Sequence, residues 1–431
     1  MDEDVSKYFE RSNNGAVMRV RKESDMALWY KSQAYHEVIA YINRTGTAIQ
    51  GIQQLDTDAY PVSPTIRKLC RLIDELITWL RAIKLNTVEA YRAWSRQMLR
   101  NIFKMLETAL PVSKCEFIGE LGQYLACSFG NFTRADYGTG HELSFLFFLC
   151  GLFQAKILCE DDEPAAALMV FARYLKCVRN LQLLFELKPS GNQGAYSLDN
   201  YQFVAYMWGA AQLCYDPPFS PKELLDRTTI DEWQHQYLIV GCVAFVASTK
   251  QGSFAMHSNQ LWSIATLSSW TRFYSGLHNM YLKEVISQFH LLRELWFGQL
   301  LPFEPVSPAT QLLRAELGHL SLARQRYLLS KQNIDEQEQE QLEREQELEL
   351  ELELQRRHQH HRHQQQQQLP EATAAATKQL PPSNLGASHS AFSSGMTASS
   401  LSGTSVRLRS LSKRFTKLQK QHAKRKPNLQ V

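Results

Sequence analysis

The chain has 431 residues, a hydrophobic fraction of 44% and a formal net charge of +4. That length accommodates one large domain or two to three small ones, and the apolar content suffices for a sizeable core. So small a charge makes no general case for nucleic acid, although acids gather near Glu336–Glu353 and bases after Arg407. The eight cysteines are scattered and form no C-x-x-C pair. This argues against a zinc cluster or redox motif and for reduced, buried thiols. The opening MDEDVSKYFERSN lacks an apolar signal region, and the runs Leu143–Phe153 and Leu238–Ala247 are too short to span a bilayer. The expectation is a soluble protein, cytoplasmic and extending to the nucleus.

Residues up to about Ala27 are polar and read as a loose arm. From Trp29 to Ile42 apolar positions fall at helical spacing, with Gly46 as a stop. Ser63-Pro64 opens a second helix with a continuous stripe from Ile66 to Leu80, and a third runs from Thr87 to Leu110, ended by Pro111. Helical pattern resumes over Cys115–Phe129 and breaks at Gly130. Helices are expected at His141–Leu158 and Pro164–Glu186, the latter with acids and a proline at its start. After a glycine loop at Lys188–Asn200, helices follow at Tyr201–Leu213, Ile230–Thr249 and Ser269–Phe289. No long period-2 alternation or internal repeat occurs, so the fold class is all-α.

Past Val306 the composition changes. Gln311–Leu329 still has helical character, and Glu338–Leu354 favours a frayed, solvated helix, within a Glu/Gln/Leu-rich extension over 307–357. Residues 358–431 are a His/Gln tract, an Ala/Ser/Pro-rich stretch and a basic end. They read as a disordered tail, too polar to offset chain entropy.

The densest stretch is Ser128–Glu142, SFGNFTRADYGTGHE, with Gly130, Gly138 and Gly140 directly ahead of apolar helical sequence. Glycines before a helix N-terminus expose N–H groups to an anion. The spacing matches neither a dinucleotide fingerprint nor a P-loop, and His141-Glu142 has no second histidine at Phe145. From spacing alone, a structural turn and an anion site both stand.

This stretch resembles, almost letter for letter, the signature of the phosphotyrosyl phosphatase activator family, the activators of serine/threonine protein phosphatase 2A. LWYKSQAY (Leu28–Tyr35), SGNQGAYSLDNYQF (Ser190–Phe203), WGAAQL (Trp208–Leu213), HSNQLW (His257–Trp262) and FGQLLP (Phe297–Pro302) follow in family order. The resemblance covers about 28–306. It implies a single multi-helix domain with core and lid subregions, a type 2A phosphatase catalytic subunit as partner, and Mg-ATP in a pocket at the shared face. It further implies peptidyl-prolyl cis-trans isomerase activity on a proline-containing segment.

Carried over by resemblance, Arg134, Gly138, Thr139 and Gly140 would meet the nucleotide; the alternative for Arg134 is an ion pair with Asp136. Gly194, Asp199 and Asn200 would hold magnesium, with Asp199 alternatively capping the helix that follows. Tyr201, Trp208, His257, Asn259, Gln260 and Trp262 would contact peptide, with Trp208 alternatively a core residue. No nucleic acid or membrane partner is implied.

Departures collect around the same pocket. Asn200 stands where the family usually has a second aspartate, Met256 where it has glutamate, Gly252-Ser253-Phe254 where it has Gly-Pro-Phe, and Arg293-Glu294-Leu295 where it has Gln-His-Phe. An amide is a poorer magnesium ligand than a carboxylate. The rival reading is therefore a phosphatase-binding module without catalysis, whose nucleotide and metal site is degraded. A third reading is a scaffold whose tail recruits other partners.

Overall fold

The structure, a computed structural model, describes residues 16–190 and 198–367. It divides into two units after Glu347. The first is a helical body built from α1 (Gln33–Ala48), α2 (Pro64–Arg81), α3 (Val88–Ala109), α4 (Ile118–Ala126), α5 (Thr139–Gln154), α6 (Ala172–Phe185), α7 (Val204–Gln212), α8 (Leu238–Thr249) and α9 (Trp270–Tyr281). The only sheet among the described residues is a parallel pair of two-residue strands, Asp136–Tyr137 and Lys188–Pro189. The all-α expectation holds.

Helix starts follow from the sequence. Ser32, Ser63 and Thr87 each accept a hydrogen bond from the backbone N–H three residues on, at Tyr35, Ile66 and Ala90. Helix α5 lies at the centre: every residue from Leu143 to Leu152 is buried, as its unbroken apolar run requires. Helices α7 and α8 approach so closely that a Cβ on Gly209 would lie 2.1 Å from the Ile239 nitrogen. Trp208 sits beside it, fully enclosed, with its indole N–H donated to the Ile42 carbonyl at 3.2 Å. No helix described is long and apolar enough to cross a membrane.

Several boundaries differ from the sequence expectation. Residues 16–27, read as arm, belong to the body: Ala16 and Val20 are buried, and Val17 exchanges two backbone hydrogen bonds with Phe297, each 2.9 Å. The helix expected at Pro164–Glu186 is widened by a π-turn at Ala166–Phe171 before α6. The stretch expected as one helix over Ile230–Thr249 is two, Arg227–Trp233 and α8. The segment 311–321 is irregular, with a bend at Gly318-His319, and α10 begins at Leu322 and reaches Gln367, ten residues into the expected tail. Every side chain described from Gln332 to His363 is exposed. Residues 368–431 lie outside the described residues.

One buried carboxylate fastens the end of the body to its middle. Glu120 on α4 is 4% exposed and accepts N–H groups from Gln299 (2.8 Å), Leu300 (3.0 Å) and Leu301 (3.3 Å), plus the Tyr124 hydroxyl (2.6 Å). A Cβ at Gly298 would fall 2.4 Å from the carboxyl carbon, so the FGQLLP motif is a backbone nest that only glycine can open. Glu120→Ala would strand three buried donors, each costing about 1–3 kcal/mol. We expect a markedly lower urea midpoint, with a smaller loss for Glu120→Gln, read by circular dichroism.

Candidate functional site

The signature stretch forms one wall of a cavity of about 820 Å³, lined among others by Arg134, Asp136, Gly140, His141, Ser190 and Glu294. Its shape comes from local backbone chemistry. Gly130 takes φ +94°, and a Cβ there would meet the Tyr91 hydroxyl and the Asp136 carbonyl. The Asn131 side chain accepts the N–H groups of Thr133 and Arg134 (2.9 and 3.0 Å), closing an Asx turn. Below it the Tyr174 hydroxyl donates to the Ser128 carbonyl and accepts from Tyr137, both at 2.7 Å. The loop is held from two sides before any ligand is considered.

Arg134 projects from this loop with both edges of its guanidinium engaged. Nε and Nη2 face Asp136 (2.7 and 3.5 Å), while Nη1 and Nη2 face Glu294 (each 3.0 Å). Burial works against its charge, but Glu294 and Asp136 more than offset this and raise its pKa. The ion pair with Asp136 weighed from sequence is present. Glu294 is the partner that sequence reasoning missed. Its signal was available: an acid stands inside the departing Arg293-Glu294-Leu295 segment, across the cavity from the one arginine assigned to phosphate.

The helix end beside Arg134 is also occupied. His141 Nδ1 accepts the Gly138 N–H at 3.2 Å, which requires an unprotonated Nδ1. Burial keeps its pKa below the ordinary histidine value. A Cβ at Gly138 would lie 2.2 Å from Ser190 Oγ, and one at Gly140 3.2 Å from Leu291 Cδ2. Both glycines thus serve close packing, Gly140 at the cavity wall, while Thr139 is buried. Glu142, one residue further, caps α7 by accepting the N–H groups of Phe203 and Val204 (2.8 and 3.0 Å). Burial pushes its carboxyl up to about 8, against the lowering pull of those N–H groups.

The residues assigned to magnesium fit it poorly. Asp199 accepts from Tyr201 N, Gln202 N and the Tyr206 hydroxyl (2.7, 3.3 and 2.7 Å), so both oxygens serve a turn cap. Asn200 is half-buried next to it, and Gly194 lies outside the described residues. Among the described residues no three His, Cys, Asp or Glu side chains gather as a metal site.

The peptide candidates do not converge. Tyr201 donates its hydroxyl to Leu187 O at 2.8 Å, and Trp208 has no exposed face, so its core role is the one realised. His257, Asn259, Gln260 and Trp262 lie on two short helices, Phe254–His257 and Asn259–Ile264, outside the lining of the signature cavity. There His257 pairs with the Ser258 hydroxyl and Gln260 with Glu284 (3.0 and 3.4 Å). Trp262 is 47% exposed and Met256 76%.

Residues 16–303 match the family model described as phosphotyrosyl phosphate activator (PTPA) protein. The chain belongs to this family. A serine/threonine-protein phosphatase 2A activator of Drosophila melanogaster is 44% identical over 312 residues, covering 70% of this chain and 77% of that one. A probable phosphatase 2A activator of Dictyostelium discoideum is 30% identical over 294 residues, covering 67% and 90%. A crystal structure of the PP2A phosphatase activator Ypa1 superposes with a TM-score of 0.62 at 26% identity, covering 68% of this chain and 96% of that one. The PTPA motifs therefore sit on a PTPA fold, and many of their residues are fasteners: Trp29 donates to Ile286 O, Ser32 caps α1, and Gln212 ties Ile52 O to Leu238 N.

The Glu142 geometry makes a pH prediction. The native carboxyl stays protonated up to about pH 8, whereas the unfolded one ionises near 4.5. The native state thus holds the extra proton between these values, and the stability it contributes is lost as pH rises through that window. The expected slope is about 1.4 kcal/mol per pH unit. In urea titrations from pH 5 to 8, Glu142→Gln should lack this component and gain on the wild type as pH rises.

Proposed function

We propose that this chain is a regulatory partner of type 2A serine/threonine phosphatase catalytic subunits, docking through the face that carries the signature loop. The observation that supports this most is the family match across 16–303, joined to relatives named as phosphatase 2A activators. Because all cysteines are free thiols, we assign the activity to the cytoplasm, extending to the nucleus.

On nucleotide, the geometry favours the docking reading over a working Mg-ATP site. A triphosphate at Arg134 would have to displace Glu294 or Asp136 from the guanidinium, and magnesium would compete with the N–H groups already on Asp199. ATP, if bound, supplies negative charge at the shared face; this chain's residues now supply that charge themselves through Glu294. Prolyl isomerisation finds no assembled slot around Trp208. A proline-containing segment would instead meet the exposed face of Trp262.

The test is binding of the full chain to a type 2A catalytic subunit, by calorimetry, with and without Mg-ATP. Binding indifferent to nucleotide is the expected result; absence of binding in both conditions would sink the reading. Glu294→Gln should raise Mg-ATP affinity about tenfold, the equivalent of ~1.4 kcal/mol from one released charge-assisted contact. Unchanged affinity would mean that Glu294 does not close the pocket.

A further inference from the structure

Beyond residue 303, where the family match ends, the chain folds back on α1. Asn43 and Thr47 share one face of α1, and Gln50 lies in the turn just past its end. Asn43 donates to Leu313 O (2.6 Å), and Thr47 Oγ1 accepts from Glu316 N (2.9 Å). The Gln50 amide donates to Glu316 O (2.6 Å) and accepts from Gly318 N (2.7 Å). These side chains read the backbone of 313–318 much as a neighbouring strand would. Asn43 and Gln50 are each only 1% exposed, so the strap covers them. It leads into α10, which is pinned by Tyr327 Oη and Lys331 Nζ on Asp58 O (3.3 and 3.0 Å).

Between strap and body lies a second cavity of about 390 Å³, lined among others by Arg44, Tyr60, Glu163 and Arg324. Arg44 is neutralised by Glu163 at 2.9 Å. Arg324 has no acid in contact, and its guanidinium lies over the Tyr327 ring, 5.7 Å from the centroid. Its Nε and Nη1 are buried and have no hydrogen-bond partner, and the same holds for the Tyr60 hydroxyl. Asp56 acts on Arg324 through space, but no acid among the described residues forms a salt bridge with it. Burial lowers the Arg324 pKa and raises that of Tyr60, the cost of donors without acceptors. Buried donors of this kind are satisfied by something in nearly every folded protein, and the cavity is large enough for a small ligand.

We propose that this cavity is a binding site for a small oxyanion, a phosphate or carboxylate group received by Arg324 and Tyr60, and that the strap is what completes it. Glu160, Asp161 and Glu316 also line the cavity, so the anion belongs at the Arg324–Tyr60 end and a singly charged group is favoured over a dianion. The site is independent of phosphatase docking, because neither Arg324 nor Tyr60 lies in the signature cavity.

The experiment is titration of the full chain with inorganic phosphate and, separately, acetate at constant ionic strength, read by calorimetry and thermal shift. Saturable binding of at least one anion is expected, weakened about tenfold or more by Arg324→Gln and by Tyr60→Phe. Gln50→Ala, which loosens the strap without touching the cavity, should weaken it as well. Phosphate over acetate would identify a phosphoryl ligand, and the reverse a carboxylate. Binding of neither anion to a folded wild type would overturn the proposal, as would binding unaltered in both Arg324→Gln and Tyr60→Phe. If only Gln50→Ala left binding intact, the site would be real but the strap's part in it would be refuted.

Discussion

The interaction on which the rest depends is the seat of the Glu120 carboxylate among the N–H groups of Gln299, Leu300 and Leu301. A buried carboxylate is costly unless its oxygens are filled, and here every bond is supplied by the protein. Helix α4, which carries Glu120, runs straight into the signature loop. The nest follows directly on the segment that carries Glu294. One carboxylate therefore sets the spacing between the two walls of the larger cavity, and hence whether Arg134 meets Glu294 at all. Deep inside, Gly298 yields the space and Tyr124 supplies the last donor.

The same device recurs at Glu142 and Asp199, where buried acids cap turns and helix starts. This changes what the signature means physically. A loop dense in glycines and charges ahead of a helix resembles an anion site because both need exposed N–H groups and room for backbone approach. In this chain much of that capacity is consumed internally, by His141 on Gly138 and by Glu294 on Arg134. What is left over is geometry: a rigid rim suited to a protein surface.

Much of the fold was legible in the sequence. The stripes of α2 and α3, the capping residues Ser63 and Thr87, and the solid apolar run of α5 each follow from one local rule. The misses arose where tertiary partners decide. Val17 and Val20 look like part of a polar arm until Phe297 offers a backbone edge. The 311–321 segment has helical composition, yet Asn43, Thr47 and Gln50 hold its backbone in an irregular, non-helical course. At the site, the Arg134–Asp136 pair could be read from two positions of spacing. The Glu294 contact spans 160 residues, and only an acid at an unusual place hinted at it. The burial of Trp208 was a weighed alternative because tryptophan serves core and slot equally well.

The backbone pairing of Val17 with Phe297, with Ser32 beside Pro305, has a consequence for the timing of synthesis. Two pieces of the body 280 residues apart are mutual partners, so the backbone of Val17 lacks its pairing edge until the ribosome has passed residue 297. At about 5–20 residues per second, that interval is on the order of tens of seconds. During it Val20, buried at the end, stays uncovered on a growing chain, and Trp29 waits for its Ile286 acceptor and its Phe297 neighbour. The protein is in effect sealed from its last motif backwards, and the newborn chain offers chaperones a defined, transient target near its start.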